Sequence, residues 1–311
     1  MLNPQITAFM DRWTAEWSSL QGSTPQDRRA HFETVAANMA LPRPEDVDQS
    51  QEHWIDSAAG RIRVRVFRHT SAGTQDCLIY SHGGAFMQGS PETHADITAR
   101  IASWNRQTVI SLDYALCPEH PFPAAFDQVC DVARWCRDQA AELGIDPDRI
   151  VIGGDSAGGN LLLAVALAWR ARTGLPALRH LAAIYPCTEI HSTRPSRETY
   201  GDGYFLDRES LRWFFERYLP NGESEDWRAS PMRADSLAGL PPMTLVTAGC
   251  DPLTDDCLAF AERMVSEGGV VRHHAYDGMV HGFFTLGGYF PQANAAVAQV
   301  AADLAEALAA Q

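Results

Sequence analysis

The spacing of apolar side chains changes several times along the chain, and each change marks a new kind of element. In the first fifty residues Phe9, Trp13 and Trp17 recur four apart, the period of a helix face. Thr24-Pro25-Gln-Asp27 carries a helix start: a hydroxyl able to cap, then a proline where no N–H is needed. Leu41-Pro-Arg-Pro44 breaks that pattern. From Gln51 the period becomes two. Arg61-Ile-Arg-Val-Arg-Val-Phe-Arg68 alternates basic and apolar residues, which predicts a strand with one dry and one wet face. The arginine row is read as that solvated face rather than as an anion site.

Strand-like and helix-like runs then alternate. Residues 77–81, 109–112, 150–153, 181–185, 243–248 and 270–276 read as strands. Residues 126–143 (closed by Gly144), 157–172, 253–267 and 293–310 read as helices. Such alternation implies an α/β fold, a mostly parallel central sheet with helices on both faces. Residues 191–227 interrupt it. They are rich in charge and aromatics, lack a strand signature, and contain one helix with Asp207 as N-cap. The expected organisation is therefore N-terminal cap helices over 1–50, a catalytic core over 51–190 and 228–311, and a cap insertion over 191–227.

Composition narrows the function. The 39 acidic residues outnumber the 25 basic ones, giving a net charge of −14, which argues against nucleic acid or an anionic membrane surface as partner. Seven cysteines are scattered with no C-x-x-C, and read as small buried hydrophobes of a reducing compartment. No Cys/His set has ligand spacing, so a zinc site is not expected. The N-terminus has no basic segment followed by an apolar core, and the longest apolar run, residues 161–169, is too short to cross a bilayer. A cytoplasmic location is the expectation.

The candidate chemistry begins at Gly154-Asp-Ser156-Ala-Gly158, set between a β-branched run and a long apolar one. Strand, sharp turn and helix in that order would hold the serine hydroxyl outward, with glycines where a Cβ would meet neighbouring backbone. The pattern is common, and a glycine-rich turn would explain it equally well. Catalysis needs a base, a group to orient it, and donors for an oxyanion. His281, in a loop after the 270–276 strand, is the candidate base. His273 and His274 lie inside that strand and are weaker choices. Asp251, just after the 243–248 strand, is the candidate orienting carboxylate. Asp255 and Asp256 are explained by favourable charge at a helix N-terminus. Donors are expected after the 77–81 strand in Ser81-His82-Gly83-Gly84-Ala85-Phe86, from the N–H groups of Gly83, Gly84 and Ala85, with that of Ala157 opposite. The chain order Ser156, Asp251, His281 is that of the α/β-hydrolases.

These motifs, with Leu112-Asp-Tyr-Ala-Leu-Cys-Pro-Glu-His-Pro-Phe-Pro-Ala124, Ala229-Ser-Pro231 and Gly278-Met-Val-His-Gly-Phe283, occur in one order. From about Gln51 onward the chain resembles the hormone-sensitive-lipase-like group (bacterial family IV) of α/β-hydrolase esterases. The resemblance implies the α/β-hydrolase fold with a helical cap, and hydrolysis of carboxylic esters through an acyl-serine without metal or cofactor. It leaves a homodimer as an option, since the C-terminal strand and helix often form dimers in that group. Two positions depart from the group's pattern: Ala85 stands for a third glycine, and Ala115-Leu-Cys117 for Arg-Leu-Ala. Glu119 and Asp155 read as structural carboxylates.

The expected function is a serine carboxylesterase acting on small, short-acyl esters. An amidase, formamidase or peptidase could use the same residues. A non-catalytic receptor fits less well, because such receptors tend to lose the triad that is complete here. A lipase fits less well because no long apolar lid is apparent.

Overall fold

The computed structural model describes residues 2–18, 24–170 and 178–309. In chain order the elements are α1 (Pro4–Ser18), α2 (Pro25–Met39), β1 (Val47–Ile55), β2 (Ile62–His69), β3 (Gln75–Ser81), α3 (Ala95–Asn105), β4 (Thr108–Asp113), α4 (Ala124–Asp138), α5 (Ala140–Leu143), β5 (Ile145–Asp155) and α6 (Ala157–Arg170). There follow β6 (Leu181–Ile184), α7 (Pro195–Thr199), α8 (Arg208–Tyr218), β7 (Met243–Cys250), α9 (Thr254–Ser266), β8 (Val271–Val280) and α10 (Pro291–Ala309).

The strands form one eight-stranded sheet in the order β1-β2-β4-β3-β5-β6-β7-β8. β2 runs antiparallel to both β1 and β4, and every later neighbour pair is parallel. The inner parallel strands are buried along both faces, which is why they read as continuous apolar runs rather than alternating ones. On one face Ile79, Ile152 and Leu245 join a core with Phe126, Leu162 and Phe260. On the other, Leu78, Val151 and Val246 pack with Ile97, Val297 and Leu304. Parallel strands bring their carboxyl ends to one edge of the sheet, and β3, β5, β7 and β8 thereby deliver residues 82, 156, 251 and 281 to the same place.

Local signals hold where a cap or turn is defined by neighbouring residues. Thr24 and Asp27 form a capping box, each side chain accepting the other's backbone N–H. Asp207 accepts the Ser210 N–H at 2.7 Å, and Gly144 closes α5 with φ +63°. Three elements were not anticipated: α7, in a segment read with a single helix, and β1 and α3. β1 starts at Val47 inside the expected N-terminal cap segment, as a mostly polar edge strand with a register shift between Asp48 and Gln51. α3 is buried over most of its surface, polar residues included; its buried Asp96 and Arg100 lie 3.4 Å apart. The 126–143 helix is two helices, α4 and α5, interrupted at Gln139. Residues 172 and 310 and the side chain of Trp17 lie outside the described residues.

Two readings of charge are corrected. The arginine face of β2 is not a wet face. The Arg63 and Arg65 side chains are only 20% and 16% exposed, and both bind carboxylates: Arg63 meets Glu52, Glu92 and Asp113 at 2.8–3.0 Å, and Arg65 meets Glu92 at 3.1 Å. Those partners are distant in sequence, so the row looked unpaired. Asp255 and Asp256 do more than favour the start of α9. Asp255 accepts the Ser196 N–H at 2.7 Å, and the fully buried Asp256 pairs with Arg197 at 2.7 Å and Arg194 at 3.1 Å. Together they fasten α7 to the core.

Candidate active site

β5 ends at Asp155, and the chain reverses through Ser156, whose φ is +53°, directly into α6. Left-handed backbone in a non-glycine residue costs roughly 1–2 kcal/mol and has to be enforced by its surroundings. The glycines on either side permit it. A Cβ on Gly154 would lie 2.5 Å from the Ser81 carbonyl oxygen, and one on Gly158 would overlap that same atom. The Ser156 N–H donates to Ile184 O at 2.9 Å, and Asn160 behind it donates its side-chain amide to the carbonyls of Cys187 and Ala229, both at 2.7 Å. The Ala229-Ser-Pro231 motif is thus tied to the start of α6.

Ser156, His281 and Asp251 converge. His281 Nε2 lies 2.8 Å from Ser156 Oγ, and His281 Nδ1 lies 2.8 Å from Asp251 Oδ2. A carboxylate only accepts, so Nδ1 carries the proton and Nε2 is the free base facing the hydroxyl. Asp251 is fully buried, and its other oxygen accepts the Leu253 N–H at 2.8 Å. β8 runs on to Val280, so His281 follows the strand immediately rather than from within a longer loop. The competing histidines are engaged elsewhere, His273 with Thr247 at 2.8 Å and His274 with Asp303 at 2.7 Å.

The loop after β3 corrects one expected donor. The Gly83 N–H is taken by Asp155 Oδ1 at 2.9 Å, and a Cβ on Gly83 would collide with that carboxylate. The N–H groups of Gly84, Ala85 and Ala157 make no such bond among the described residues. Ala157 opens α6, where an unpaired N–H and the helix dipole both favour negative charge. Gly84, Ala85 and Phe86 have φ of +127°, +54° and +60° in succession, so Ala85 does occupy the conformation that suits a glycine.

Asp155 was legible only as structural, and the structure gives it a definite task. Besides Gly83 it accepts the Tyr80 hydroxyl at 2.9 Å, with His94 Nε2 at 3.3 Å. Burial opposes its ionisation, yet His94 and the Tyr80 hydroxyl outweigh burial and hold its pKa below the ordinary carboxylate value. Burial pushes His82 down to about 3, so its ring is neutral, and Nδ1–H donates to Gly83 O at 2.8 Å. Tyr185 was missed altogether. It sits just past β6 with φ +33°, and its ring lies 4.7 Å from that of His281. Its place at the end of an apolar run offers no signal of that contact. Glu119 binds Arg29 of α2 at 2.6 Å, a structural role as expected.

Over Ser156 lies a cavity of about 110 Å³ whose walls include Trp13, Phe32, Phe205 and Phe214 from the segments read as cap. Among the described residues, no three His, Cys, Asp or Glu side chains are grouped to hold a metal, and no helix is long and apolar enough to cross a membrane. All seven cysteines are free and buried.

Comparison with known proteins agrees with this geometry. Residues 78–285 match the model of a family described as having the alpha/beta hydrolase fold. An ethyl acetate hydrolase of Pseudomonas putida is 30% identical over 99% of this chain and 99% of its own. A hyperthermophilic esterase of the archaeon Pyrobaculum calidifontis superposes with TM-score 0.93 at 32% identity, covering 99% of each chain. An ester hydrolase from the Lake Arreo metagenome, solved with a bipyridine phosphonate derivative, gives TM-score 0.92 at 34% identity over 98% of this chain and 99% of that one. The chain belongs to the alpha/beta hydrolase fold family, in its hormone-sensitive-lipase-like esterase group, and is a carboxylic ester hydrolase.

Proposed function

We propose that the protein hydrolyses small esters of short-chain acids through an acyl-serine formed on Ser156. His281 Nε2 takes the hydroxyl proton as Ser156 Oγ attacks the ester carbonyl carbon. The carbonyl π electrons move onto oxygen, where the N–H groups of Gly84, Ala85 and Ala157 receive the charge. Collapse of this intermediate breaks the bond to the alcohol oxygen, and the alcohol leaves with the proton from His281. Water next gives a proton to His281 and attacks the acyl carbon. The acid departs as Ser156 regains its proton. Asp251 keeps Nδ1 protonated and stabilises the imidazolium formed in each half. Gly83 has no place among the donors, because its N–H serves Asp155.

The observation that carries this reading is the unbroken relay from Asp251 through His281 to Ser156, 2.8 Å at both links. Preference for short acyl chains is supported by the cavity of about 110 Å³, smaller than the ~150 Å³ that admits one benzene molecule. The Pseudomonas putida relative is named for ethyl acetate, an ester of this size. α1, α2 and residues 191–227 serve as the cap that limits the substrate, with β1 belonging to the sheet instead. The seven buried thiols fit a reducing compartment, so we also place the enzyme in the cytoplasm. The exposed edge strand β8 is where a homodimer would form, and sedimentation would then give twice the chain mass.

Ser156→Ala should stay folded by circular dichroism, lose turnover of p-nitrophenyl butyrate, and resist labelling by an alkyl fluorophosphonate that adds once to the wild type. A folded variant with wild-type turnover would sink the assignment. Equal rates on matched butyryl esters and anilides would replace the esterase by an amidase.

A further inference from the structure

A second cavity, of about 180 Å³, lies between α1 and α2. Trp13, Val35 and Met39 line both it and the cavity over Ser156, so these three side chains are the wall between them. Val35 and Met39 are buried on α2, which is fastened to the core. Its Arg29 donates to Met87 O at 2.7 Å and to Glu119, and the Met39 carbonyl accepts the Gly288 N–H at 3.2 Å. Trp13 comes from the other helix and packs ring to ring on Phe205 at 4.3 Å and on Phe9 at 5.7 Å. Its indole is the largest part of the wall. Phe9 and the Tyr289 ring continue the far lining beside His31, while the exposed Thr34 and Asn38 mark where that cavity meets solvent.

We propose that the second cavity is a latent extension of the substrate site, suited to a medium-length alkyl chain on the ester, and that Trp13 is the specificity-determining residue that shuts it off. This inference rests on the ester-hydrolase reading of Ser156. The chemistry asked of the extension is modest. Along its apolar side, made by Phe9, Val35 and Met39, the cavity takes methylenes from water, each worth about 4-fold in binding, while His31, Thr34 and Asn38 make its polar side. Four methylenes separate a butyryl from an octanoyl chain, so access to the second cavity has a ceiling on the order of 10² in relative kcat/KM. With the indole in place that gain is withheld.

The test is a ratio measured on the purified full chain. In one arm p-nitrophenyl octanoate is compared with p-nitrophenyl butyrate, which lengthens only the acyl side. In the other, octyl acetate is compared with butyl acetate, which lengthens only the alcohol side. Trp13→Ala is expected to raise the long-to-short ratio of kcat/KM at least tenfold in one arm, and the arm that responds says which side of the ester faces the extension. Adding Thr34→Trp to that variant, to refill the cavity from its mouth, should return the ratio towards wild type. A folded, active Trp13→Ala with both ratios within twofold of wild type overturns the inference. So does a rise that Thr34→Trp leaves untouched, because the cause would then be a loosened cap. Should Trp13→Ala fail to fold, Trp13→Leu takes the same comparison with the same criteria. Wild-type protein inactive on the butyryl and acetyl esters would overturn the hydrolase reading itself, an outcome separate from an unchanged ratio in an active enzyme.

Discussion

Replacing Asp155 with alanine should damage stability and turnover together, although the carboxylate touches no reacting atom. Its side chain is 4% exposed. It accepts the Gly83 N–H and the Tyr80 hydroxyl, each at 2.9 Å, with His94 Nε2 at 3.3 Å. Alanine leaves two buried donors without an acceptor, each costing ~1–3 kcal/mol, so a loss of ~2–6 kcal/mol in unfolding free energy is expected. Catalysis suffers by a separate route. Gly83 immediately precedes Gly84, and releasing it lets the donor loop drift from Ser156. Losing one well-placed oxyanion donor costs about 3 kcal/mol, roughly 10²-fold in kcat, with KM little changed. Asp155→Asn keeps a carbonyl oxygen for Gly83 and should retain much of both. The pH dependence has a defined sign. The folded pKa lies below 3.8, so the ionised group contributes stability that is present above that value and lost as pH falls through the folded pKa. Urea unfolding at pH 7 and pH 3 gives the stability terms, and initial rates on p-nitrophenyl butyrate give kcat and KM. An alanine variant within 0.5 kcal/mol of wild type and within threefold in kcat would refute the coupling.

Further expectations concern the relay, the donor loop and the buried histidines. Asp251→Asn removes the acceptor that fixes the His281 tautomer, and kcat should fall by about 10⁴ with the fold intact; a loss under tenfold, measured on the same ester, would deny Asp251 that role. Ala85→Gly relieves a left-handed alanine worth ~1–2 kcal/mol but loosens the unfolded chain by ~0.4–1 kcal/mol, so a net gain between zero and ~1.6 kcal/mol is expected in urea unfolding. A destabilised glycine variant would show that the methyl packs usefully there. Burial holds His82 near a pKa of about 3 and His180 near about 4, so both are neutral when folded at pH values where the unfolded chain protonates them. Stability is therefore full above pH 6.5 and falls below it, by about 2–3 kcal/mol per histidine at pH 4.5. Equal urea midpoints at pH 7.5 and pH 4.5 would contradict this.

What could be read from the sequence was what neighbours in sequence determine. The elbow is legible because Gly-x-Ser-x-Gly stands between a strand run and a helix run, although it is the Ser81 carbonyl of β3 that bars a Cβ at Gly154 and Gly158, and each relay member follows a recognisable strand. The donor assignment failed at Gly83 because His-Gly-Gly does not say which way its N–H groups face. Asp155, 72 residues away in sequence, decides that. The arginines of β2 were misjudged for the same reason, since Glu92 and Asp113 reach them from other elements. β1 was invisible because a polar edge strand with a bulge breaks its own alternation.

The same long-range contacts explain how the donor loop keeps three consecutive positive φ values. Phe86, third in that run, stacks on Tyr218 of α8 with ring centroids 3.8 Å apart, and its carbonyl accepts the Cys117 N–H at 2.9 Å. One residue on, the Met87 carbonyl accepts from Arg29 of α2 at 2.7 Å, and Arg29 also holds Glu119 and the Cys117 carbonyl. On its other flank the loop is held by Asp155 through Gly83. A strained backbone persists only when its surroundings over-determine it. Here the surroundings include both helical segments that roof the cavity, α2 and α8, as well as the residue beside the nucleophile. The helices that roof the cavity over Ser156 are therefore also those that hold the loop bearing the Gly84 and Ala85 N–H groups, so under the proposed mechanism a change in the roof acts on the chemical step as well as on substrate fit.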